Sequence, residues 1–136
     1  MKIIKTADYN EMSRKAANLI GAQVIMKPNC ILGLATGSSP IGTYKELIKR
    51  CEEGDLDFSQ LKSEILMNTK DFQETMIKAI IYFMNHNLFD HINIDKANTH
   101  VPNGMEPDAA KECANYEELI KSLGGVDLQL LGLGHN

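Results

Sequence analysis

CILGLATGSSP, residues 30–40, decides the fold. CILGLA is a continuous apolar run of the kind a strand buried on both faces requires. TGSSP then breaks the run. Ser39 suits an N-cap and Pro40 the first helical position, and Ile41, Tyr44, Leu47, Ile48 and Cys51 share one face of a helix that Gly54 stops. A buried strand feeding a helix through a glycine turn is the unit of a parallel sheet with right-handed crossovers.

The flanking sequence repeats the pattern. MKIIKT, residues 1–6, reads as a short strand. From Asp8 to Lys27, Met12, Ala16, Leu19, Ile20, Gln23 and Val24 recur at helical spacing, and Lys27-Pro28-Asn29 closes that helix. After a turn through residues 55–60, a strand entering Ile65-Leu66 precedes a helix running through Phe83 and Leu88. Pro107 opens a further helix with Cys113, Tyr116, Leu119, Ile120 and Leu123 inward and Gly124-Gly125 as its stop, and VDLQLLGLG, residues 126–134, is the final strand. The expected fold is α/β, a doubly wound, Rossmann-like parallel sheet, without internal repeats or low-complexity linkers.

Composition narrows the function. With 136 residues, 43% hydrophobic and 24% charged, the chain has material for one domain and one core. A net charge of -4 with scattered Lys and Arg offers no footprint for nucleic acid or an acidic membrane surface. No run is long enough to span a bilayer and no leader pattern opens the chain, so the expected location is cytoplasmic. Cys30, Cys51 and Cys113 lack CxxC spacing, which points to neither a disulfide framework nor a zinc site.

In parallel sheets of this type ligands collect at the carboxyl ends of strands. Two glycine turns lie there. In the first, Gly37 permits a tight turn, Ser38 and Ser39 offer hydroxyls, and the following helix start presents free N–H groups, so a monophosphate fits. It lacks the Gly-Lys-Ser/Thr of a Walker loop and the GxGxxG of a dinucleotide turn. A strand-to-helix turn with a capping serine and no ligand is the competing reading. The second turn, LLGLGHN, carries Gly132, Gly134 and His135. His86 and His91 read as surface or packing residues, and His100, at a strand end, has a somewhat better claim to line a site.

LGLATGSSPIGTYKEL (32–47), LDFSQ (56–60), YFMNHNLFDHINI (82–94), THVPNG (99–104) and CANYEELIKSLGGVDLQLLGLGHN (113–136) together resemble the glucosamine-6-phosphate deaminase family. The resemblance implies conversion of glucosamine 6-phosphate and water to fructose 6-phosphate and ammonia, with no metal or organic cofactor and frequent homo-oligomers. It also implies that Thr36, Gly37, Ser38 and Ser39 hold the substrate phosphate and that Asn136 stands in the catalytic turn. A gluconolactonase of the pentose phosphate route shares the fold and a similar phosphate loop and is one alternative; a residual sugar-phosphate-binding module without catalysis is the other. The chain is expected to be the N-terminal part of a single domain. Relatives continue past Asn136 with the ring-opening histidine and further phosphate contacts, so the last strand should present an apolar edge.

One segment departs from the family. The chemistry needs a carboxylate to move a proton between C2 and C1 of the opened sugar, within a family stretch reading Asn-Leu-Asp-Glu-Tyr. That stretch aligns with Ile65, Leu66, Met67, Asn68 and Thr69, so Met67 occupies the position of the base. A thioether cannot accept that proton. The change is total within the window and absent on either side. Family-like codons for that stretch and the Lys-Gly-Leu-Pro after it, read one nucleotide late, spell ILMNTKDF, and a similarly shifted Gln-Ser-Tyr-Tyr gives Lys78, Ala79, Ile80 and Ile81. Residues from about 64 to 81 therefore read as out of frame, where local disorder or a strained register is expected, and the chain as written is expected to be inactive.

Overall fold

A computed structural model describes residues 2–65, 74–102 and 107–132. Asp8 caps the first helix, α1 (Tyr9–Met26), by accepting the Glu11 N–H, and the helix ends before Pro28. β1 (Ile31–Leu34) follows, buried at all four positions. α2 (Ile41–Glu52), β2 (Lys62–Ile65), α3 (Glu74–Asn87), β3 (Thr99–His100), α4 (Ala109–Ser122) and β4 (Leu128–Gln129) complete the order. Short 3-10 turns over Phe89–His91 and Lys96–Asn98 connect α3 to β3.

The strands form one parallel sheet in the order β3-β2-β1-β4. The chain steps outward from β1 to β3 and then returns across the sheet to β4, so right-handed crossovers put α2 and α3 on one face and α4 on the other. The register agrees. Leu32 and Leu34 face the α1, α2 and α3 side, where Ala17, Ile20, Val24, Tyr44, Leu47, Ile80 and Met84 join them in the main core. Gly33, Glu64, His100 and Gln129 form one cross-strand row on the opposite face. Tyr116 of α4 reaches that side, where its hydroxyl accepts the Ile65 N–H at 2.9 Å and donates to the His100 carbonyl at 2.8 Å. The Gln129 side chain lies over Gly33, and a Cβ added there would stand 1.9 Å from its Oε1.

Several expectations change. Residues 2–6 form no strand, and Ile3 is 76% exposed, because no described strand offers them a ladder. The buried stripe of α1 is Ser13, Ala17, Ile20, Gly21 and Val24, whereas Met12 and Leu19 are exposed toward the β4 side. α2 starts one residue late, with Pro40 rather than Ser39 as its N-cap. α4 is capped by Asp108, two residues' N–H groups pointing at its carboxylate, and it buries Glu112 while Leu119 is exposed.

The window expected to be disordered or strained divides. Residues 66–73 lie outside the described residues. Residues 74–81 belong to the regular helix α3, because Ile77 and Ile80, three apart, recur with Met84 at helical spacing and bury. At its other end the conflict is visible: Glu64 is 1% exposed, its Oε2 has no hydrogen-bond partner, and burial pushes its carboxyl pKa upward.

Candidate functional site

The order 3-2-1-4 reverses direction between β1 and β4, and at such a switch point the connections leaving the two strands diverge and open a crevice at their carboxyl ends. Here that crevice has a volume of about 340 Å³ and lies between Ser39, Pro40 and Thr43 on one side and Leu130, Leu131 and Gly132 on the other, with Met12 and Ala16 at its wall. Of the two glycine turns foreseen in the sequence, Ser39 of the first and Gly132 of the second line it, whereas Thr36, Gly37 and Ser38 do not. A Cβ on Gly132 would stand 3.5 Å from the Ser39 Cβ, an ordinary contact, so the two turns touch without crowding.

The first turn is held from behind. Tyr44, fully buried in α2, uses its hydroxyl to accept the Ala35 N–H at 3.1 Å and to donate to the Ala35 carbonyl. Burial raises the Tyr44 pKa, which keeps the hydroxyl a donor. Gly37 has a φ of +103°, a conformation that glycine adopts without strain. Thr36, Gly37 and Ser38 are exposed and Ser39 is half-buried. The hydroxyls of Thr36, Ser38 and Ser39 make no hydrogen bond among the described residues, and Ser39 does not cap α2. The turn therefore presents unused donors toward solvent at a helix start.

No described residue lining the crevice is charged. An anion there would be met by N–H groups, hydroxyls and the helix end, a field worth on the order of 1 kcal/mol at an exposed site. Met67, Asn136 and His135 lie outside the described residues. His100 lies at the carboxyl end of β3, separated from β1 by β2, and burial and Lys62 lower its pKa. His86 stacks on Tyr82 and its carbonyl meets His91 Nε2, and neither histidine lines the crevice. Tyr9 carries no local signal of its place here: its hydroxyl reaches across 29 residues to the Ser38 carbonyl.

A parallel 3-2-1-4 sheet with a glycine turn at its switch point defines a doubly wound α/β protein, a fold whose ligands collect at the carboxyl ends of the strands. Within that class the chain is homologous to glucosamine-6-phosphate deaminases over all 136 residues. It is 56% identical to the enzyme of Lachnoclostridium phytofermentans, 47% to that of Clostridioides difficile and 48% to that of a Thermoanaerobacter species. These alignments take in the whole chain but 58%, 55% and 54% of the relatives, so the chain spans about half the length of the curated relatives it matches. A solved monomeric glucosamine-6-phosphate deaminase superimposes with a TM-score of 0.84 at 34% identity, over 98% of this chain and 56% of that one. A 6-phosphogluconolactonase from Thermotoga maritima shares the fold, with a TM-score of 0.73 at 20% identity over 98% and 59%. No family model matches the chain.

Proposed function

We propose that this chain is the N-terminal, phosphate-binding part of a glucosamine-6-phosphate deaminase, that it binds the phosphate of the amino sugar at Thr36, Gly37, Ser38 and Ser39, and that as written it does not catalyse deamination. The observation that carries the reading is that Ser39 of the family-like turn meets Gly132, in the segment that leaves β4, at the switch point. The 6-phosphogluconolactonase alternative is weaker, because the relation to deaminases reaches 56% identity while the lactonase shares the fold at 20%. In this reading catalysis fails because Met67, a thioether that cannot accept the proton, stands at the base position. The sugar phosphate is the partner in this reading. The resemblance implies frequent homo-oligomers, whereas one solved relative is described as monomeric.

Residues from about 64 to 81 are proposed to be out of frame. The buried Glu64, whose Oε2 is unsatisfied, supports this, since the large majority of buried side-chain polar atoms in native folds have a hydrogen-bond partner. Resequencing the source DNA from codon 60 onward tests the frame: a corrected reading restores Asp-Glu-Tyr, and an unchanged one removes the idea. For the chain itself, titration with millimolar glucosamine 6-phosphate is expected to shift the amide resonances of Gly37, Ser38 and Ser39 without ammonia release above a protein-free control. Ammonia release would overturn the claim of inactivity, and unshifted amides the claim of binding.

A further inference from the structure

We infer that Tyr9 is a positioning residue for the anion turn: its hydroxyl, brought in from the start of α1, ties Ser38 to Gly42 and fixes which amides are left to meet a phosphate. The inference rests on the phosphate-binding reading above and adds a residue to it.

α2 has no adequate cap of its own. Pro40, the N-cap, makes no side-chain capping bond, and the turn's internal closure, Ile41 N–H to the Ser38 carbonyl, is long at 3.4 Å. Tyr9 supplies what is missing. Its hydroxyl accepts the Gly42 N–H at 2.8 Å and donates to the Ser38 carbonyl at 2.9 Å, so a single O–H satisfies an orphan donor of the helix start and an exposed acceptor of the turn. A second feature belongs to the same arrangement. A Cβ on Gly42 would fall 2.7 Å from Tyr9 Cε2 and 2.2 Å from Ser13 Oγ, so only glycine lets α1 come this close. Apolar burial does not explain the tyrosine, which is 45% exposed.

The consequence is selective. Gly42 N–H is occupied, whereas the amides of Gly37, Ser38 and Ser39 have no hydrogen-bond partner among the described residues. The anion's donors are thus those of the turn, and their directions depend on a carbonyl that Tyr9 holds.

The test compares the full chain with Tyr9→Phe and Ser13→Ala by amide NMR, first without ligand and then in titrations with glucosamine 6-phosphate. Without ligand, Tyr9→Phe is expected to speed exchange of the Gly42 amide and move the Gly37, Ser38 and Ser39 resonances, while Ser13→Ala leaves them in place. In the titration, Tyr9→Phe is expected to raise Kd about five-fold, the scale of one net hydrogen bond, with the far-UV spectrum unchanged. Turn resonances unmoved by Tyr9→Phe, moved equally by Ser13→Ala, or moved with Kd unaltered each overturn the positioning role. If Tyr9→Phe moves the turn but the unsubstituted chain shows no ligand shifts, the phosphate reading itself fails and takes the role with it.

Discussion

β1 and β2 are adjacent strands of equal length in one parallel ladder, yet their sequences obey different rules. β1 is ILGL and buries every residue; β2 is KSEI, and its Ser63 and Glu64 are each 1% exposed. In the first strand the chemistry of the side chains agrees with the place they occupy. In the second, neighbours impose the place: the ladder to β1, the buried Leu61 and Ile65, and the Tyr116 hydroxyl on the Ile65 N–H. A fold can therefore carry one strand whose local preference contradicts it, at a cost concentrated in a single group.

That cost can be removed. Glu64→Val should raise unfolding free energy by about 1–3 kcal/mol, the range for relieving an unsatisfied buried polar group, as read by urea denaturation; a loss of stability would mean that β2 needs the carboxyl. The sign with pH is also fixed. Because burial raises the Glu64 pKa, the folded chain holds this proton more tightly than the unfolded one. The associated stability is full below the ordinary glutamate pKa and is lost as pH rises through the raised value. Glu64→Gln should abolish that fall.

Tyr116→Phe sharpens the comparison from the other side. It removes the acceptor for Ile65 N–H and the donor to His100 carbonyl, and should destabilise by about 1–2 kcal/mol. The loss should be seen in amide exchange at β2 and β3 before β1; uniform exchange would show that the strands share one tie.

The smallest effect is expected at the β1–β4 side. Asp127 accepts the Ile31 N–H at 2.8 Å and Lys27 Nζ at 3.0 Å, and these bonds, the backbone one first, lower its pKa. Asp127→Asn should cost under about 1 kcal/mol because the pair is largely solvated. Its pH dependence runs opposite to that of Glu64: the contribution is present above the ordinary aspartate pKa and is lost as pH falls through the lowered value. Equal stability of the variant and the parent from neutral pH to acid would show that Asp127 contributes nothing to the β1–β4 side.

Where preference and place agree, the sequence was readable. The apolar run at residues 30–35, the glycine turn and the amphipathic face of α2 foretold β1, its turn and its helix, and the alternation foretold a parallel sheet. MKIIKT misled because an apolar pair such as Ile3-Ile4 signals a strand only if a sheet edge receives it, and none of the described strands does. Met12 and Leu19 misled for a related reason: helical spacing shows that a face is apolar, not that something covers it. The glycine turn at the start of α2 was visible because glycine and serine beside a helix start carry their own local signal. Tyr9 was not, since its role exists only once α1 lies against α2.

The empty position at Gly33 has a further consequence. The Gln129 side chain fills the space where any other residue would carry its first carbon, and the β1–β4 ladder pairs these two residues. Gly33 thus works as a notch, and Gln129 as the tooth that finds it. Sliding β4 by one residue would bring Leu128 or Leu130 to the notch and carry Gly132 away from Ser39. The alignment of the two turns that form the crevice is consequently gauged by one missing methyl group in the middle of the sheet.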